Sequence, residues 1–101
     1  MSLKTISAIE ALQSIDGFDA VIDARSEDEY ALDHLPGAVN WPTLNNQERA
    51  EVGTLYKQVS PFSARKRGAA LAARHIAAHI EREVADKPRE WAAMTYCWVS
   101  L

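Results

Sequence analysis

The feature that most constrains this chain is an alternation in which short, apolar, β-forming stretches give way to longer segments of helical period. Phe18-Asp19-Ala20-Val21-Ile22-Asp23-Ala24-Arg25 reads as a buried strand whose polar members, Asp23 and Arg25, gather at its carboxyl end. Ala38-Val39-Asn40-Trp41 reads as a short strand between the turn signal Leu35-Pro36-Gly37 and Pro42. Ala92-Ala93-Met94-Thr95-Tyr96-Cys97-Trp98 is apolar, carries β-formers at Thr95, Tyr96 and Trp98, and follows the break at Pro88. Lys4-Thr5-Ile6 adds a short first strand or an extended arm. Strands alternating with helices predict an α/β fold, a mostly parallel sheet with helices on both faces.

The helical segments carry their own punctuation. Ser7 and Glu10 form a Ser-x-x-Glu capping box heading a helix through about Ser14, with Ile9, Leu12 and Ile15 along one face and Asp16-Gly17 ending it. Ser26 and Glu29 repeat the device for a short acidic helix to roughly His34, with Asp28 and Glu29 near its positive end. Asn45 or Asn46 caps a helix from Gln47 to about Gln58 with Val52, Leu55 and Tyr56 as its apolar stripe; Gly53 weakens that helix slightly. Ser60-Pro61 opens the longest helix, about Phe62 to Ala85, on which Ala69, Ala73, Ile76, Ile80 and Val84 recur at helical spacing and predict one buried face. Asp86-Lys87-Pro88 ends it.

A chain of 101 residues, 48% hydrophobic and 25% charged, has the size and composition of one globular domain with a modest core. Its apolar runs are far too short to span a bilayer, and no signal-peptide pattern opens it. A single cysteine excludes an internal disulfide framework and suits a reducing compartment. A net charge of −3 argues against a strongly electrostatic nucleic-acid binder while leaving room for a local basic patch.

Candidate functional residues follow from these placements. Cys97 falls at the carboxyl end of the last strand, where ligands and reacting groups collect in open α/β sheets. Such a cysteine is either a small buried hydrophobe or a nucleophile held as thiolate by backbone N–H groups or a cation. Asp23, Arg25 and Glu29 offer either a structural ion pair at the strand–helix corner or a catalytic carboxylate pair. His75 and His79 share a helix side at a spacing that ligates zinc, but no third ligand is apparent, and a solvated helix edge is the expectation. Arg65, Lys66, Arg67 and Arg74 form either a solvated face or a phosphate contact. Trp41, Trp91 and Trp98 are expected in the core and its rim.

These residues also carry a resemblance. Asp23-Ala24-Arg25, Glu29-Tyr30 and His34-Leu35-Pro36-Gly37-Ala38-Val39-Asn40 resemble the opening pattern of rhodanese-like domains. The segment from Leu44 to Gln58 resembles a signature of the rhodanese domain of bacterial tRNA 2-selenouridine synthases, which ordinary rhodaneses lack, and Tyr96-Cys97-Trp98 completes the match. The resemblance covers about Ile6 to Trp98. It implies a rhodanese-like α/β fold, a cytoplasmic transferase and Cys97 as the catalytic thiolate that carries selenium or sulfur. It further implies replacement of sulfur by selenium in wobble 2-thiouridine of tRNA, with selenophosphate as donor and a geranylated intermediate. Selenophosphate and geranyl diphosphate enter as substrates, and no resident cofactor, metal or membrane is implied. A stand-alone sulfurtransferase and a non-catalytic rhodanese-like binding module are the rival readings.

Where the family continues after the cysteine with a glycine-rich, arginine-containing loop, this sequence reads Val99-Ser100-Leu101. The departure implies a rhodanese-like domain truncated after its cysteine, without the family's P-loop-type second domain and inactive by itself. The family's late strand, between the first strand and the cysteine strand, would be missing too. Marginal stability, aggregation or a partner chain in the gap is the expectation.

Overall fold

A computed structural model describes residues 4–97 of the chain. Capping chemistry sets the helix starts. Ser7 Oγ accepts from the Glu10 N–H at 3.2 Å and opens α1 (Ala8–Gln13), which runs into a 3₁₀ turn at Ile15–Gly17. The capping box of Ser26 and Glu29 opens α2 (Glu27–Leu32). Asn45 and Glu48 form a further box at the head of α3 (Asn46–Gln58): the Glu48 N–H donates to Asn45 Oδ1 at 2.8 Å, and the Asn45 N–H to Glu48 Oε1 at 2.9 Å. Ser60, with Pro61 at the first helical position, starts α4 (Pro61–His79), whose end passes into a π-helical turn at Ile80–Val84.

Between the helices lie β1 (Ala20–Asp23), β2 (Val39–Asn40) and β3 (Ala93–Tyr96), forming a three-stranded sheet in the order β2-β1-β3 with both pairings parallel. The register sets Ala20 beside Ala93 and Asp23 beside Tyr96 on one side, and Asp23 beside Asn40 on the other. Bonds beyond the strands extend both ladders: Asp19 N–H to Ala92 O, Ala24 N–H to Tyr96 O and Trp41 N–H to Asp23 O. Gly37, at φ 79°, turns the chain into β2 in a conformation that suits glycine. The parallel α/β architecture is as expected.

Of the two readings of Lys4-Thr5-Ile6, the strand does not form. Among the described residues no strand lies beside it to supply the hydrogen bonds that three extended residues need. The expected continuation of the last strand through Trp98 lies outside the described residues.

A correction concerns α4. The buried residues are Ala64, Leu71 and His79, with Gly68, Ala72 and His75 half-buried beside them. Most of the expected face is turned to solvent: Ala69 and Ala73 are exposed, as are Ile76 at 45% and Ile80 at 51%, while Val84 is half-buried. The true contact surface is small and polar because it meets α3 at close quarters. A Cβ on Gly68 would sit 3.6 Å from Val52 Cγ1, and the Arg67–Glu51 ion pair and the His75–Glu48 hydrogen bond flank it. The partners run in opposite chain directions, so α3 and α4 form an antiparallel hairpin. On α3, Val52 and Leu55 are half-buried while Tyr56 is 58% exposed, and the α1 residues Ile9 and Leu12 are exposed as well.

The apolar core comprises Ile22, Ala38, Ala64, Leu71 and Met94. Leu71 is 2% exposed. Leu71→Ala should therefore cost about 2–5 kcal/mol in urea unfolding, whereas Ile76→Ala on the solvent side should cost less than about 1 kcal/mol. Equal losses would overturn the assignment of faces.

Candidate active site

The site is built around the carboxyl end of β1. Asp23 is fully buried, and its carboxylate is filled by protein donors. Oδ1 accepts from the Arg25 backbone N–H at 2.9 Å and from Arg25 Nε at 3.0 Å, while Oδ2 accepts from Arg25 Nη2 at 2.8 Å and from the Tyr96 hydroxyl at 3.1 Å. The same Nη2 reaches the Asp33 carbonyl at 2.6 Å, and the Leu35 N–H donates to Tyr96 Oη at 3.0 Å. Burial works against ionisation of Asp23, but hydrogen bonds from Arg25 and Tyr96 and the Arg25 charge prevail and hold its carboxyl below the usual range. The bond to Asp23 correspondingly raises Arg25 against the opposing effect of burial. Burial likewise pushes the Tyr96 phenol up.

The choice left open by the sequence at this corner is thereby decided. Asp23 and Arg25 are a structural ion pair, not an available catalytic carboxylate with its partner. Glu29 also has fixed duties: its Oε1 accepts from Ser26 Oγ at 2.8 Å and pairs with Arg49 Nε at 3.1 Å. A further bond, from the Asp28 N–H to Asn46 Oδ1 at 2.9 Å, ties the head of α2 to the head of α3.

Cys97 follows β3 directly and is exposed. It lines a cleft of about 100 Å³ together with Arg25, Ser26, Glu29, Thr43 and Arg49. Thr43 is fixed on the opposite wall by two bonds to the Ala24 carbonyl, from its N–H at 3.1 Å and its hydroxyl at 3.2 Å. The parallel ladder brings the end of β1, the end of β3 and the start of α3 to one place, the edge at which open α/β sheets hold ligands. The sulfur is thus presented to a cleft with a cationic wall instead of being packed as a hydrophobe.

The histidines are a correction. They do not sit on a solvated edge. His75 Nε2 meets Glu48 Oε1 at 2.7 Å, and the half-stacked His79 beside Trp41 is buried. Arg82 Nη2 lies 3.0 Å from His79 Nδ1; arginine only donates, so Nε2 carries the proton that reaches the Pro42 carbonyl at 2.8 Å. Neither ring approaches a third ligand, and no metal-binding group of residues occurs among the described residues. Arg65, Lys66, Arg67 and Arg74 are exposed on α4 away from the cleft. Trp41 and Trp91 are half-buried, and Trp98 lies outside the described residues.

Sequence reasoning missed Arg49 as a site residue. The capping box of Asn45 and Glu48 was the available signal, since it fixes Arg49 in the first turn of α3.

Residues 7–98 match the rhodanese-like domain family, and the chain belongs to that family. Its relatives narrow the class. The chain is 60% identical over 38 residues to a tRNA 2-selenouridine synthase of Nitrosomonas eutropha, a stretch making up 38% of this chain and 10% of the relative. It is 37% identical over 76 residues to the tRNA 2-selenouridine synthase of Proteus mirabilis, covering 75% of this chain and 21% of the relative. The protein of the same name from Bdellovibrio bacteriovorus is 38% identical over 68 residues, or 67% of this chain and 18% of that protein. The chain thus spans about a fifth or less of the length of these curated relatives. Among solved structures, the N-terminal domain of a Clostridium difficile 630 protein described as ATP/GTP binding superposes with a TM-score of 0.62 at 32% identity. That match covers 78% of this chain and 60% of the other. No helix among the described residues is long and apolar enough to cross a membrane.

The Asp23 pair sets an acid dependence of stability. A carboxylate whose folded pKa lies below its unfolded value of about 3.9 stabilises fully above that value, and loses its contribution as pH falls through the folded one. Asp23→Asn should cost about 3 kcal/mol at pH 7 by leaving Arg25 poorly matched in the interior. Its urea midpoint should then fall less than that of the parent between pH 6 and pH 3. Glu48 contributes in the same direction, lowered chiefly by the Asn45 N–H with burial opposing and His75 adding. Some acid sensitivity therefore survives in the variant. Parallel acid limbs for the two proteins would refute the assignment.

Proposed function

We propose that this chain is the rhodanese-like portion of a tRNA 2-selenouridine synthase and that Cys97 is its chalcogen-carrying nucleophile. The observation that carries the reading is the exposed Cys97 immediately after β3, lining one cleft together with Arg25 and Arg49. The names of the relatives supply the substrate class, tRNA, and the element, selenium.

The chemistry that suits the arrangement is displacement at a chalcogen. With a sulfane donor such as thiosulfate, the Cys97 thiolate forms a bond to the outer sulfur while the donor's own S–S bond breaks. Sulfite leaves with the bonding pair, and Cys97 retains the terminal sulfur as a persulfide anion. In the longer enzyme, geranylation of the 2-thiouridine sulfur makes it a better leaving group: the selenium of selenophosphate bonds to C2 as the C–S bond breaks and geranyl thiolate leaves, and water then cleaves the P–Se bond to release phosphate. The P-loop-type domain would handle the geranyl donor and the tRNA. Neither step needs a metal or a resident cofactor.

In a full-length tRNA 2-selenouridine synthase carrying this domain, Cys97→Ser should lower 2-selenouridine formation by at least about a thousandfold, as loss of a covalent nucleophile does. Far-UV circular dichroism should be unchanged. Selenouridine produced at the parental rate would reduce the domain to the non-catalytic binding role.

A further inference from the structure

We infer that Arg49 recognises the oxyanion of a sulfane donor such as thiosulfate, so that the cleft selects donors whose departing group is sulfite or a like oxyanion of sulfur. The inference rests on Cys97 being the nucleophile and adds the residue that holds the donor against it.

The two guanidinium groups of the cleft differ in what is left over after their internal duties. Arg25 is buried, and its Nε and Nη2 are both engaged by Asp23, with the Asp33 carbonyl and carboxylate sharing Nη2. The Arg49 side chain is 47% exposed, and its nearest ion-pair contact is from Nε to Glu29 Oε1 at 3.1 Å. That carboxylate oxygen also serves the Ser26 hydroxyl at 2.8 Å and the Ser26 N–H at 3.4 Å. One shared oxygen therefore faces three donors, and Arg49, which lines the cleft, makes no side-chain hydrogen bond among those of the described residues. Guanidinium presents paired N–H groups at the spacing of phosphate or sulfonate oxygens, and a half-exposed pair is weak enough to admit a second anion.

Position completes the argument. Arg49 lies in the first turn of α3, held by the Asn45 cap and by the α2–α3 bond between Asp28 and Asn46. Its wall and Cys97 bound the same cleft, whose volume of about 100 Å³ exceeds that of a single water. A donor bound by its oxyanion at Arg49 would turn its outer chalcogen toward the sulfur. As the new bond to Sγ forms and the donor bond breaks, the oxyanion departs with the bonding pair beside a cation that stabilises the added charge.

The test uses a full-length tRNA 2-selenouridine synthase carrying this domain, with Cys97→Ser as the control for alkylation at other sites. Cys97 is alkylated with iodoacetate, which is anionic, and with iodoacetamide, which is neutral, in the parent and in Arg49→Gln and Arg49→Lys, with circular dichroism as the fold control. The rate ratio of iodoacetate to iodoacetamide should fall about fivefold in Arg49→Gln, the effect of one unit charge at close range in a wet cleft. Arg49→Lys should retain most of the ratio. Inorganic phosphate should slow iodoacetamide in the parent but not in Arg49→Gln, at ionic strength matched with chloride. A ratio that does not change, an equal fall in both variants, or phosphate protection that ignores Arg49 overturns the role of Arg49 while leaving a reactive Cys97 in place. A parent thiol inert to both reagents removes the nucleophile and this inference together.

Discussion

The buried pair of Asp23 and Arg25 is the constraint on which the rest of the structure depends. Asp23 is the last residue of β1, the central strand, and its side chain and backbone hold four segments at once. The carboxylate fixes Arg25 and Tyr96, and through the Asp33 carbonyl and the Leu35 N–H these two fix the exit from α2. The Asp23 carbonyl accepts from Trp41 and Asn40, which fixes the exit from β2. A buried ion pair contributes little net stability compared with apolar residues of equal volume, yet breaking it is costly. Its value here lies in placement, since Tyr96 is the residue before Cys97. The guanidinium also lies 5.9 Å from the centre of the Tyr96 ring, a cation–π contact that further restricts where β3 can end.

The second half of the chain is joined to this corner by polar contacts more than by apolar burial. Glu48 closes the capping box of α3 and reaches His75 on α4, so one carboxylate both starts a helix and sets its packing against the next. His79 then bonds the Pro42 carbonyl beyond β2, and its ring stacks near Trp41 at 5.8 Å between centroids. The hairpin is thus registered internally by a Glu–His contact and against the exit from β2 by a His–carbonyl contact. In an alanine-rich helix that offers few large apolar side chains, such contacts discriminate between faces where hydrophobicity alone would not.

The same fact explains what could and could not be read from the sequence. Strand and helix boundaries were legible because caps, prolines and Gly37 act locally: β1, β2, β3 and every helix start fall within or beside the expected segments. The buried face of α4 was not legible. Its apolar periodicity selects Ile76 and Ile80, whereas the packed surface is marked by a glycine, alanines and two histidines whose partners are more than 25 residues away in sequence. The cysteine at the end of a strand could be located from the sequence, and so could the Asp23–Arg25 pair. The arginines lining the same cleft as the cysteine could not, because Arg49 comes to that cleft only through the parallel crossover and the cap that starts α3.

Two arginines in one small cleft would be redundant if they were held alike, and they are not. Withdrawing Arg25 from Asp23 would expose an uncompensated buried carboxylate, a loss of about 3–5 kcal/mol that no weakly bound anion can offset. The Arg49–Glu29 pair is half in water, where such pairs are worth about 0–1 kcal/mol. An arriving oxyanion therefore competes for Arg49 at small cost and leaves Arg25 undisturbed. Fold and recognition are in this way separated between neighbouring cations. The buried one fixes where the sulfur emerges, and the exposed one remains free to respond to what the sulfur meets.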